Sequence, residues 1–173
     1  MMKKTLTMTM LLALVTGCSS YPPIRTESSV DIQRFMGDWY VIANIPTWIE
    51  KGAHNAIESY QLNEDGSVAT TFSFYKDGFD GKKKIYHPTG FITDQTSNAI
   101  WGMQFIWPFK SDFRIVYVSP DYSKTIIGRI KRDYVWIMAR EPQISDAEYD
   151  ELVQLIAQQG YDVSKMQKVP QQW

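Results

Sequence analysis

One cysteine, two histidines and one oddly placed glutamate are the first residues to consider for chemistry in this 173-residue chain. Cys18 is the sole thiol, so no internal disulfide can form and the fold must be stabilised by its core. His54 and His87 lie far apart, with no cysteine or carboxylate at ligand spacing around them. A metal centre needs three or four convergent ligands, so neither a metal nor a cofactor is expected. There is no G-x-S-x-G nucleophile elbow and no phosphate-cradling glycine loop. A Ser/His/Asp set assembled only in the fold stays open, but no catalytic residue is assigned. The basic run Gly81–Lys84, "GKKK", reads as a solvated hairpin loop, with anionic lipid heads as the sharper alternative.

The surroundings of Cys18 give it a role. The chain opens "MMKKTLTMTMLLALVTGC". Lys3 and Lys4 form a positive n-region, an apolar stretch is densest at 10–15, and small Gly17 follows, which is a secretory leader layout. The run is too short and too rich in threonine to span a membrane, which takes roughly 20 apolar residues. Leu14-Val15-Thr16-Gly17-Cys18 resembles a bacterial lipobox. That resemblance implies removal of residues 1–17, a diacylglyceryl thioether on Cys18 and an acyl group such as palmitate on its freed amine. Ser19 rather than Asp after the cysteine implies sorting to the outer membrane; a periplasm-facing anchor is the expectation, with the membrane face left open. Each buried methylene contributes about 0.8 kcal/mol and firm anchoring takes more than one chain, which three acyl chains satisfy. "SSYPPIRTESSV" then reads as a polar, proline-stiffened tether, so that 18–30 is the acylated terminus and 31–173 the domain.

Of the 173 residues, removing 17 leaves 156, enough for one domain. Removing Lys3 and Lys4 from 18 basic residues leaves 16 against 19 acidic, a net charge of −3. That balance gives no reason to expect nucleic acid or an anionic membrane surface. Aromatics make up 14 %, with 6 Trp, 10 Tyr and 8 Phe, which implies either a large core or an aromatic-lined cavity.

The elements that would position such rings are strands. Alternating runs occupy 38–45, 55–62, 67–75, 84–93, 98–106, 113–118, 124–130 and 134–140. Asn63-Glu64-Asp65-Gly66 separates the second and third, a strong hairpin signal. Eight strands at near-regular spacing argue for an antiparallel sandwich or barrel. One helix is expected late, in "ISDAEYDELVQLIAQQG". Ser145 and Glu148 have capping-box spacing, Ile144 and Tyr149 fit a hydrophobic staple, and Gly160 fits the C-terminal cap. Tyr149, Leu152, Val153 and Ile156 form one apolar face to pack on the outside of the sheet.

Three motifs occur in order along this pattern. Gly37-Asp38-Trp39 is a G-x-W at the first strand. Pro120-Asp121-Tyr122 resembles a T-D-Y loop, with proline replacing threonine. Arg140 ends the eighth strand. Together, over about 31–172, they resemble the lipocalin family. With the lipobox, the chain is similar to bacterial outer-membrane lipocalins. The resemblance implies an all-β, eight-stranded antiparallel up-and-down barrel with one C-terminal helix packed outside. It implies that Trp39 plugs one end beneath the Arg140 guanidinium, worth about 0.5–2 kcal/mol as a cation–π contact. Gly37, Trp39, Asp121, Tyr122 and Arg140 are then structural.

Side chains alternate across a strand, so the family register implies an inward set. It comprises Trp39, Val41, Ala43 and Ile45; Tyr60, Leu62, Val68, Thr70, Phe72 and Phe74; Tyr86; Trp101, Met103 and Phe105; Phe113, Ile115 and Tyr117; and Tyr134, Trp136 and Met138. From these, Tyr60, Phe72, Phe74, Trp101, Met103, Phe105, Ile115, Tyr117, Trp136 and Met138 are the expected ligand-binding positions. A one-residue bulge would invert any strand's set. An apolar pocket suits a fatty acid or lysophospholipid entering tail first. Burying about 14 methylenes gives roughly 11 kcal/mol gross, against association costs of about 4–15 kcal/mol, so micromolar affinity is the expectation. Glu58 shares parity with Tyr60. Either it lies near a wet mouth or is turned out by a bulge, or it faces inward and pairs with an amine head group. Trp48, Trp107 and Phe109 fall in or near loops, to line the mouth, touch a membrane or form a dimer contact. The leading expectation is a lipid-binding, non-enzymatic protein serving envelope maintenance, stress conditions included. Its rivals are an isomerase-like enzyme on the same barrel and a structural lipoprotein with a filled barrel; a homodimer stays open.

Overall fold

The computed structural model describes residues 23–173. The leader and Cys18 lie outside the described residues. Nine strands form the barrel wall: β1 (Gly37–Ile45), β2 (Ala53–Leu62), β3 (Ser67–Lys76), β4 (Lys82–Tyr86), β5 (Thr89–Ile92), β6 (Ile100–Ile106), β7 (Phe109–Val118), β8 (Lys124–Gly128) and β9 (Val135–Ala139). Each pairs antiparallel with its neighbour, and β9 pairs back onto β1 to close the wall. β4 and β5 both pair with β3, at Phe72–Lys76 and Ser67–Ala69 respectively. They are two halves of one barrel strand, broken at His87-Pro88, where a proline has no N–H for the ladder. The result is an eight-stranded barrel. A two-residue β10 (Gln167–Lys168) adds to the edge of β1, and Val169 beyond it is buried.

The late helix, α2 (Asp146–Gln158), begins with the full reciprocal capping box of Ser145 and Glu148. It ends before Gly160, whose φ of +86° is a conformation that side chains resist. Its apolar face, with Leu152 and Ile156 buried, packs on Val116, Ile126, Val135 and Ile137 outside the barrel. A second helix, α1 (Ile32–Phe35), had no counterpart in the expected elements. It is a single turn capped by Asp31, and it drives Phe35 fully into the barrel's end.

Two bulges correct the inward set. β1 shifts register against β9 between Val41 and Ala43. Val41 packs inside, whereas Ala43 and Ile45 join the outer cluster under α2, and Asn44 turns inward. β7 shifts against β8 between Ile115 and Tyr117. Ile115 and Val118 pack inside, and Tyr117 packs outside. One further loop expectation changes: Lys82–Lys84 open β4 rather than forming a loop. β6 and β7 meet in a tight hairpin with Trp107 in its turn and Phe109 beside it.

From Pro23 on, the expected tether lies along the barrel. Ile24 and Val30 are buried. The Glu27 amide donates to the Ile115 carbonyl, and the Val30 amide to that of Ser97.

Candidate functional site

The strands define two ends. The loop 46–52, the turn 77–81, the β6–β7 hairpin and the loop 129–134 share one end; the turns 63–66, 93–99 and 119–123 share the other. The second end is shut. Trp39 is fully buried there, 5.1 Å from the Phe35 ring, and its Nε1 donates to the Phe35 carbonyl. The Arg140 guanidinium lies 3.8 Å from the Trp39 ring centroid. Its Nη1 donates to the Asp38 carbonyl and its Nη2 to the carbonyls of Arg34, Phe35 and Met36. One planar fork thus satisfies the last turn of α1, which has no further helix to accept from. Gly37 has a φ of +94°, and a Cβ there would approach Arg140 Nη1. Asp121 accepts from the Ser119 and Ser123 hydroxyls and the Ser123 amide, bonds that pull its carboxyl well below the usual range. The Tyr122 hydroxyl accepts from the Asp31 amide, and its ring receives Arg34 at 4.1 Å.

Above this plug the lower half of the barrel is solid. Trp101 stacks on Phe113 at 5.0 Å, and Tyr60 meets Phe35 and Trp101 edge-on or tilted. The upper half holds a cavity of about 230 Å³ that opens between Thr47, Trp48, Phe105, Ser111, Arg129 and Tyr134. Its inner wall includes Phe72, Tyr86, Met103, Phe113 and Trp136. Ligand pockets commonly measure about 300–1,000 Å³. This one sits just below that range.

Of the ten ligand positions expected from sequence, the structure puts Phe72, Met103, Phe105 and Trp136 on the cavity wall, Phe105 at its half-exposed mouth. Tyr60, Phe74, Trp101, Ile115 and Met138 are inside the barrel but consumed in core packing. Tyr117 is the clear correction: the β7 bulge carries it to the outer face against α2. Trp101 and Tyr117 therefore do not share one open space with Met103 and Trp136.

Glu58 is also resolved. It pairs with Trp39 in the β1–β2 ladder and with Phe72 in the β2–β3 ladder, and it lines the cavity. The expected wet-mouth position is overturned. Glu58 lies deep in the barrel, and the surface it retains faces the cavity. Burial raises its carboxyl to about 8; the nearby Glu50 charge adds to this, and Tyr60 opposes it. The Tyr60 hydroxyl, itself buried, has no hydrogen bond of normal geometry.

Glu50 was missed by sequence reasoning. It is 6 % exposed at the cavity's edge and accepts from Trp136 Nε1 at 2.6 Å, Thr47 Oγ1 at 2.7 Å, the Thr47 amide and Asn44 Nδ2. The available signal was Thr47 and Glu50 at capping-box spacing in the first loop. Four donors explain how a carboxylate is tolerated there. Among the described residues, no three His, Cys, Asp or Glu side chains converge as a metal site would.

The known proteins agree with this architecture. A family model described as a lipocalin-like domain matches residues 30–171. Temperature-induced lipocalin-1 of Arabidopsis thaliana is 30% identical over 82% of this chain and 80% of its own. Outer membrane lipoprotein Blc of Escherichia coli strain K12 is 28% identical over 88% and 87%. Among solved structures, insecticyanin from the tobacco hornworm Manduca sexta superimposes with a TM-score of 0.68 at 15% identity, over 86% of this chain and 84% of that one. With the family model spanning nearly the whole barrel, helix and tail, this chain belongs to the lipocalin family.

Proposed function

We propose that this protein is an outer-membrane-anchored carrier that holds one single-chain lipid, a fatty acid or lysophospholipid, in its barrel and serves envelope maintenance by binding rather than by catalysis. The observation that carries the reading is the apolar, aromatic-walled cavity, shut by Trp39 at one end and open at the other. Its small volume supports one alkyl chain entering tail first, with a polar head left near Arg129, Ser111 and Asp112 at the mouth. The Blc relatives, named as outer membrane lipoproteins, support the location.

Titration with acyl chains of graded length tests the cargo. Tryptophan fluorescence should change saturably at one site per barrel, because Trp136 lines the cavity. Each methylene removed should weaken binding by up to about 0.8 kcal/mol. Met103, buried on the cavity wall, should be sensitive to volume. Met103→Trp overfills that space, at a cost of about 1–3 kcal/mol in stability, and should reduce binding of long chains more than short ones. Equal binding of all lengths, or unchanged long-chain binding by Met103→Trp, would show that cargo does not enter the barrel.

Anchoring is tested separately. Cys18→Ser should leave an unacylated protein that salt and carbonate washes release from outer-membrane fractions. Retention through those washes would rule out Cys18 as the anchor.

A further inference from the structure

We propose that the open end of the barrel is a membrane-docking face, so that the cavity mouth is held against the phospholipid surface and exchanges cargo directly with it. This rests on the anchored-carrier reading and adds an orientation to it. Three separate observations converge on the same end of the molecule.

The first is where the chain leaves the described structure. The Pro23 carbonyl accepts from Arg132 Nη2 at 3.4 Å, and Arg132 belongs to the loop 129–134 at the cavity mouth. From there the segment descends the outside of the barrel, pairing at Glu27 with Ile115 and at Val30 with Ser97, to Asp31 beside Tyr122 at the shut end. Cys18 precedes Pro23 by five residues, and five fully extended residues span at most about 18 Å. Because residues from Ile24 onward are packed down, the tether is too short to let the barrel turn over. An acyl group on Cys18 would hold the mouth near the bilayer.

The second is the surface at that end. Trp48 is 78 % exposed, Trp107 82 %, Phe109 77 % and Ile106 73 %. All four stand on the loop 46–52 or the β6–β7 hairpin that frame the mouth, and Trp48 and Phe105 line the cavity itself. Exposed apolar side chains on both sides of the mouth mark an interaction surface, and tryptophan in particular partitions to the boundary between lipid and water.

The third is charge. Lys51, Lys82, Lys83, Lys110 and Lys131 are exposed at the open end, against exposed Asp77 and Asp80. The shut end presents exposed Asp31, Asp38, Glu64, Asp65 and Asp121, with Arg34. The molecule is thus polarised with its cationic end toward the apolar rim, complementary to phosphate head groups. This favours a bilayer over a second copy of the chain, whose own open end would bring like charges together.

The test uses the mature protein on vesicles of phosphatidylethanolamine and phosphatidylglycerol at 3:1. Nitroxide labels are placed on Trp107→Cys at the open end and, separately, Glu64→Cys at the shut end. The label at 107 should report lipid contact and the label at 64 should report water. Both labels in water, or lipid contact at 64, would overturn the proposal. Mass measurement of the same samples reads acylation independently, and the soluble unacylated chain repeats the label measurement with docking left to the rim alone. On that chain the variant Trp107→Lys/Phe109→Lys should partition to vesicles at least about tenfold less well. Its uptake of monomeric fatty acid from solution should be unchanged. Unchanged vesicle partitioning would sink the docking face, whereas lost uptake in every variant would instead sink the carrier reading.

Discussion

Replacing Trp39 with alanine is expected to destabilise the barrel by about 3–5 kcal/mol, the usual range for a fully buried aromatic. Its indole is enclosed by Phe35 and Arg140, and its Nε1 is tied to the Phe35 carbonyl. Alanine removes the ring that closes the end and leaves that carbonyl with one donor fewer. Arg140→Ala should also be harmful, because the carbonyls of Arg34 and Met36 depend on its fork. Losing a hydrogen bond to a charged group costs about 1.5–3 kcal/mol. The two side chains stack at 3.8 Å, so the second change removes a contact the first has already broken. Urea midpoints of the double variant should therefore show a loss smaller than the sum of the single losses. Strict additivity would mean that the stack contributes nothing.

Much of this end was legible because its residue types have few alternative uses. A glycine with positive φ, a tryptophan two residues on and a strand-terminal arginine in one chain carry a joint signal, and the capping box states where α2 begins. The middle of the barrel was less legible. Alternation gives a strand's two faces but not where a bulge exchanges them. Ala43, Ile45 and Tyr117 are as apolar as inward residues because the outward face they occupy is itself covered by α2. Burial on both faces erases the contrast that parity needs. The floor height was hidden for another reason. Whether Trp101 lines a cavity or fills it depends on Phe35, which arrives from a four-residue helix too short to show a period. The short tether was hidden too, since "IRTESSV" is polar in composition while its Ile24 and Val30 are buried against the wall.

Glu58 provides the second large expected effect. In the unfolded chain its carboxyl titrates near 4.5, and in the barrel near 8, raised first by burial and then by Glu50. Between these values the folded protein holds a proton that the unfolded chain has released. The native state binds more protons, so stability must fall as pH rises across that window and become level above it. Below about 4.5 both states are protonated and this group contributes no slope. At about 1.36 kcal/mol per pKa unit, the full fall approaches roughly 4–5 kcal/mol, an upper value because cavity water lessens the burial penalty. Glu58→Gln cannot ionise and should flatten this part of the curve. Urea unfolding of the parent and variant at pH 5, 6.5, 8 and 9 measures the difference, and parallel curves would mean that Glu58 is not buried as a neutral acid. The same proton bears on cargo. Below about pH 8 the cavity presents a neutral carboxyl beside Phe72 and Met103, which an alkyl chain can cover. Above it, covering Glu58 would strip water from a charge that no cation pairs. Acyl-chain affinity of the parent should therefore drop between pH 7 and pH 9, while Glu58→Gln keeps its affinity. Equal loss in both proteins would place the acyl chain away from Glu58.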